Sequence, residues 1–172
     1  MTIKSLAQFV DDMIVQNDYP GFEPRAYKIG LSQDLLKGPA KLFGQALDHD
    51  SIYVRLVALR WFQERPQYLK PYIRPVLAMV DSEDHWLRME SIMALERLHQ
   101  PSEEIAGKVA EHLFDAEIVV QQVAARALGK IGKRLKLKEG VVIDSLTQVA
   151  RDGDPLVKRK AEKALRKIGV YS

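Results

Sequence analysis

Apolar residues return with the 3.6-residue rhythm of a helix along almost the whole chain. Two-residue alternation is sustained nowhere, so the predicted fold class is all-α. Positions 3, 6, 7, 10, 13 and 14 describe an amphipathic N-terminal helix. Four further sets follow, at 35, 36, 42, 43, 46 and 47; at 69, 72, 73, 76, 77 and 80; at 105, 106, 109 and 113; and at 142, 143, 146, 149 and 150. Each set is followed by a second helical phrase: DSIYVRLVALRWFQER from 50, DHWLRMESIMALERL from 84, EIVVQQVAARALGKIG from 117 and DPLVKRKAEKALRKIG from 154. Laid over one another, the phrases share an apolar anchor at Val54, Leu87, Val120 and Val157, with spacings of 33, 33 and 37 residues. Such a period marks a stacked array of helix pairs.

Four residues after each anchor stands a small residue (Ala58, Ser91, Ala124, Ala161), and eight after it a large apolar one (Phe62, Leu95, Leu128, Leu165). These offsets share the anchor's helical face, so small side chains let the neighbouring helix come close while large ones fill the space beside it. Asp84 and Asp154 are expected N-caps, Pro155 suits a first helical position, and Gly132 and Gly169 are expected to end their helices.

The tetratricopeptide pattern and the ankyrin Thr-Pro-Leu-His signature are absent. DGDPLVKRKAEKALRKIG and VVQQVAARALGKIG instead resemble the second helix of HEAT repeats, especially the short form named after phycobilisome lyases. The resemblance spans residues 34 to 169 and is strongest in the last two units. It implies a right-handed α-solenoid of about four HEAT-like helical hairpins, at 34–65, 66–99, 102–132 and 138–169, with the second helices on the concave side. It also reads Pro39 and Pro75 as bends inside the first helices of the early units. Two departures stand out, Gln121 in place of the usual Arg and Trp61 where Ala is expected.

The whole chain, residues 1–172, is expected to form a single domain, with residues 1–33 as an N-terminal capping helix and aromatic loop. Pro20, Gly21 and Pro24 oppose a helix in the loop, which carries Tyr19, Phe22 and Tyr27. The aromatics are expected to tuck into the end of the array; the rival reading is a partner-binding arm.

Little catalytic chemistry is written here. There is no cysteine, which excludes disulfides, thiolate nucleophiles and cysteine-bound metals and fits a reducing cytoplasm. Asp11 and Asp12 interrupt the apolar run a signal peptide needs, and no window approaches a membrane span. Gly-x-Ser-x-Gly, Gly-x-Gly-x-x-Gly and His-Glu-x-x-His are missing, and GKIGKR at 129–134 reads as helix termination rather than a phosphate loop. His49 and His85 sit near acids on equivalent turns but lack a defined ligand spacing, so no catalytic residue, cofactor or metal is assigned. Arg55, Arg88 and Lys158 each follow an anchor. By the resemblance, they are expected to form a structural ladder with Asp48, Asp81, Asp115 or Asp152; ligand binding is the alternative role.

Two surfaces are candidates for binding. The second helices of units one and two are apolar nearly all round, and such helices must be covered on every side. If the N-terminal segment does not cover them, Tyr53, Leu56, Arg60, Trp86, Arg88, Met89 and Met93 line a partner-binding groove. The second surface is basic. Residues 130–172 hold 12 Lys or Arg against 5 Asp or Glu, leaving 14 against 18 in residues 1–129. On a helical wheel Arg159, Lys160, Lys163, Arg166 and Lys167 fall within a sector of about 120° opposite the apolar stripe. A solvated cap explains polarity but not one sign of charge, so docking to an acidic protein, nucleic acid or phosphate-bearing surface is expected there.

The leading expectation is therefore a non-enzymatic interaction module for a protein partner, without membrane insertion. A chromophore chaperone or lyase like the phycobilisome-lyase relatives is the second. Nucleic-acid binding is the third, and the confinement of charge to one end argues against it.

Overall fold

All twelve residues that define the repeat, from Val54, Ala58 and Phe62 to Val157, Ala161 and Leu165, are fully shielded from solvent in the computed structural model, which describes residues 2–16 and 38–170. Their common burial follows from how the helices stack. In chain order these are α1 (Ile3–Gln16), α2 (Ala40–Ala46), α3 (Ile52–Glu64), α4 (Ile73–Met79), α5 (His85–Glu96), α6 (Glu103–Glu111), α7 (Ile118–Leu135), α8 (Val141–Asp152) and α9 (Pro155–Ile168). Short 3-10 turns cover Pro66–Tyr68, Lys70–Tyr72 and His112–Phe114, and no strand occurs among the described residues. Each hairpin pairs a first helix with a second: α2 with α3, α4 with α5, α6 with α7 and α8 with α9. The second helices then pack in chain order, α3 on α5, α5 on α7 and α7 on α9. This is an all-helical repeat solenoid.

α1 closes the N-terminal end. Leu6 and Val10 are fully buried, and the helix packs against α2 and α3. In α3 the unexpected Trp61 is also interior. It stacks on Phe43 of α2 with centroids 4.6 Å apart, meets Phe62 edge-on at 5.1 Å and carries the Arg65 guanidinium 5.2 Å above its ring. The larger side chain thus fills the first unit from the α2 side. Tyr19, Phe22 and Tyr27 lie outside the described residues.

Local signals act as the chain pattern predicts at the starts of α5 and α9. Asp84 accepts the Leu87 amide at 2.9 Å, Asp154 accepts the Leu156 amide at 2.8 Å, and Pro155 opens α9. Gly169 ends α9 in the left-handed region (φ 88°). Three expectations need correction. Gly132 does not end α7, which runs on to Leu135 and stops at Lys136 (φ 57°). Its lack of a side chain serves packing instead, because a Cβ there would come within 2.8 Å of Ile168 Cδ1. One turn earlier, a Cβ on Gly129 would come within 2.9 Å of the Ala164 Cα, so α7 and α9 touch nearly backbone to backbone. Pro39 immediately precedes α2, and Pro75 sits in the first turn of α4, where its missing N–H has no helical partner to lose.

Among the described residues the expected Arg–Asp ladder is present as a single rung. Arg88 binds Asp115 of the next unit through two 2.8 Å hydrogen bonds, Nε to Oδ2 and Nη2 to Oδ1, while its Nη1 donates to the Ser82 and Glu83 carbonyls. Gln121 keeps only the carbonyl half of this role, donating to the Asp115 carbonyl at 2.6 Å, and Lys158 reaches the Arg151 carbonyl at 3.4 Å. Arg55 does not join the ladder: its Nε is buried without a hydrogen-bond partner among the described residues. Asp81 pairs with Lys108 and Asp152 with Arg151. Burial alone would raise the Asp115 carboxyl. Hydrogen bonds from Arg88, from His112 at 2.9 Å and from the Glu117 amide, together with the Arg88 charge, bring it down to about 2.

Gly129→Val should destabilise the chain by about 2 kcal/mol or more in urea unfolding, because the new methyls meet backbone. Gly107→Ala in α6, where nothing lies within 4 Å of an added Cβ, should stabilise it by up to about 1 kcal/mol; the same sign of change at both sites would refute the close α7–α9 approach. The lowered Asp115 carboxyl contributes stability on the order of 2 kcal/mol, fully present above about pH 4 and lost as pH falls through about 2. Asp115→Asn should therefore lower stability at pH 7 and flatten its decline across that window. A variant declining in parallel with the parent would remove the carboxylate from the account.

Candidate functional site

α9 is amphipathic by construction: Val157, Ala161, Ala164, Leu165 and Ile168 are buried, and Arg159, Lys160, Lys163, Arg166 and Lys167 are all exposed. The close contact with α7 brings a second set of cations beside them. Lys163 and Lys167 stand six and ten residues after their anchor, and Arg126 and Lys130 stand at the same offsets in α7. The two helices enclose a cleft of about 220 Å³, with Arg126, Lys130, Lys160, Lys163 and Lys167 around a floor of Gly129 and Ala164. A neighbouring cleft of about 370 Å³ shares Lys160 and Lys163 and adds Arg159, Gln122 and Leu156. Arg166 is exposed but lines neither. Arg126 and Lys130 were not singled out in the sequence, although their offsets from Val120 match those of the two lysines.

One buried acid organises the α7 side. Glu96, at the end of α5, keeps only 3% of its side chain exposed. A buried carboxylate needs strong partners, and Arg126 supplies two hydrogen bonds, from Nη2 at 2.9 Å and Nε at 3.2 Å, while the Lys130 ammonium contacts the other oxygen. Arg134 donates to the Glu96 carbonyl at 2.7 Å. Arg126 and Lys130 nevertheless remain 43% and 34% exposed, so they are anchored at one end and open to the cleft at the other. Among the described residues Lys160, Lys163 and Lys167 form no ion pair, and Glu162 is half-buried.

The apolar groove is not assembled as expected. Leu56 is 1% exposed and belongs to the core; α1, α2 and α5 all pack on its helix, α3. Tyr53, Trp86 and Met89 are half-buried and pack on that core, with the His85 ring 4.7 Å from Trp86. Arg88 is committed to Asp115. Arg60 donates to Gln63 at 3.0 Å, and Gln63 in turn donates to the buried Glu90 carboxylate at 2.5 Å. Met93 and Arg60 stand six residues after their anchors, so Arg60, Met93, Arg126 and Lys163 occupy one equivalent row across the four second helices.

His49 Nδ1 accepts the Ser51 amide at 3.1 Å. Among the described residues no group of three or more His, Asp or Glu side chains is gathered to hold a metal ion, and no helix is long and apolar enough to cross a membrane.

No family model and no curated protein matches this sequence. Solved structures do match its fold. A designed armadillo repeat protein in complex with the peptide (KR)4 superposes with a TM-score of 0.63 at 15% identity, covering 97% of this chain and 91% of that one. Computationally designed armadillo repeat proteins for modular peptide recognition give 0.64 at 15% identity, covering 96% and 91%. An engineered protein gives 0.61 at 16% identity, covering 95% of this chain and 47% of that one. At this level of identity the likeness is one of architecture: the chain shares its stacked helical hairpins with designed repeat solenoids.

Proposed function

We propose that this chain is a non-catalytic protein-interaction module, built of HEAT-like hairpins, that binds an acidic protein segment along its second helices. The observation that supports this reading is the convergence of five cationic side chains from α7 and α9 on one cleft, beside a second cleft of the same sign. Catalysis needs converging acids, bases or nucleophiles, whereas a row of equal charges does something simpler: it attracts and orients a surface of opposite sign. Repeat solenoids offer extended surfaces suited to such contacts. The architectural neighbour that holds (KR)4 carries a basic peptide. Here the open face is cationic, which favours the opposite ligand charge.

The row Arg60, Met93, Arg126 and Lys163 sets the scale. Helices packed about 8–10 Å apart place its ends roughly 27 Å from each other, the length of about eight residues of extended chain. An acidic segment lying along it meets Arg60, passes the half-buried Met93 and ends among the α7 and α9 cations. Two features disfavour nucleic acid. Acidic residues outnumber basic ones in residues 1–129, and no aromatic side chain lines either cleft to stack a base.

Fluorescence anisotropy with a labelled peptide of about eight Asp and Glu residues tests the proposal. Binding should weaken as salt rises, and Lys160→Glu with Lys163→Glu should reduce affinity by about tenfold or more with an unchanged helical circular-dichroism spectrum, since both side chains are exposed. Retention of a duplex oligonucleotide in place of the peptide would overturn it.

A further inference from the structure

The α7–α9 cleft holds more positive charge than a carboxylate can use. Arg126, Lys130, Lys160, Lys163 and Lys167 face it, and Glu96 offsets one of the five. The three lysines of α9 have no acidic partner among the described residues, and crowding like charges within two turns of one helix is unfavourable unless something offsets it. We propose that this cleft is a phosphate-recognition subsite, which takes a phosphorylated serine or threonine side chain of the bound acidic segment. The inference rests on the acidic-segment reading above and specifies what occupies its most basic position.

Shape and charge support the same ligand. A phosphoryl group carries about −1.5 to −2 charges and three strong acceptor oxygens, enough to engage several ammonium groups together. Lysine serves phosphate well as a point charge that can approach from several directions. The floor here is made only of Gly129 and Ala164, so the cationic heads stand above a short apolar base in a space of about 220 Å³. A compact tetrahedral group on a short side-chain stem fits that geometry. Arg126 is already positioned: Nε and Nη2 are held by the Glu96 carboxylate, which leaves Nη1 to donate outward. Lys130 is held by the same acid, so two of the five cations lose little freedom when the phosphate arrives. A nucleic-acid backbone would present many phosphates, but the cations that could meet them are concentrated on these two helices, and the row continues toward α3 through Met93 rather than another charge.

Three versions of one acidic peptide distinguish the outcomes, with a central serine, glutamate or phosphoserine, each titrated against the full chain by anisotropy and by amide chemical shifts of Gly129, Lys163 and Ala164. The phosphoserine peptide should bind about tenfold or more tightly than the glutamate peptide and shift those amides. Lys160→Ala with Lys163→Ala should bring its affinity down to the glutamate level. Equal affinity for the phosphoserine and glutamate peptides would overturn the phosphate subsite and leave the acidic-segment reading intact. A phosphoserine preference that survives the double substitution would place the phosphate elsewhere and equally overturn it. Failure of all three peptides, with or without retention of a single-stranded or duplex oligonucleotide, would remove both.

Discussion

The nearly backbone-to-backbone contact of α7 and α9 is the constraint on which the rest depends. Gly129 faces the Ala164 Cα so closely that no Cβ fits between them. Close approach gives both helices many dispersion contacts and buries Leu128, Ile131, Leu165 and Ile168 alongside. It also decides what happens on the solvent side. Side chains six and ten residues after each anchor are carried to the rim of the same seam, and in these two helices all four are cations. Packing that needs small residues at the floor therefore creates a narrow cleft edged by long charged side chains.

How much of this could be read from the chain depends on the kind of interaction. The core was legible, because anchor, small residue and large residue recur at offsets that share a helical face, and every one of them is buried. The N-caps Asp84 and Asp154 were legible for a local reason: a side chain bonding an amide two or three residues ahead needs no tertiary partner. Gly132 misled because a glycine can end a helix or admit a neighbour, and only the position of Ile168 separates the two. Leu56 misled for a related reason. A helix apolar on most sides states that it is covered but not by what, and among the described elements α1, α2 and α5 pack on α3. Arg126, Lys130 and Glu96 were missed because a cross-repeat ion pair couples residues about thirty apart, where no local pattern calls attention to them.

The turns between hairpins show why the ladder survives as one rung. What the three later units share is that the residue after the anchor donates to a carbonyl at the turn or in the last helical turn before it: Arg88 to Ser82 and Glu83, Gln121 to Asp115 and Lys158 to Arg151. The need for such a donor is common because the carbonyls at these turns lie beyond the reach of helical amides. The carboxylate partner is added only where a planar, bidentate donor is present, and Arg88 alone of the three has that geometry. Asp115 then gathers His112 and the Glu117 amide, which fixes the turn between α6 and α7 and with it the start of the helix that carries Arg126 and Lys130.

Glu96 links the interior to the binding face. As a nearly buried carboxylate it would be strongly destabilising without its cations, and truncating both Arg126 and Lys130 would leave its charge uncompensated. It sits on α5 while its partners sit on α7, so the same contact that holds the second and third units in register also fixes the direction of two cationic side chains at the cleft. Its negative charge lowers the local positive surplus and thereby limits self-repulsion when the cleft is empty. An incoming anion meets two cations already oriented, Arg126 and Lys130, beside the three lysines of α9, and that partial preorganisation follows from where one acid is placed in the repeat, nine residues after Leu87.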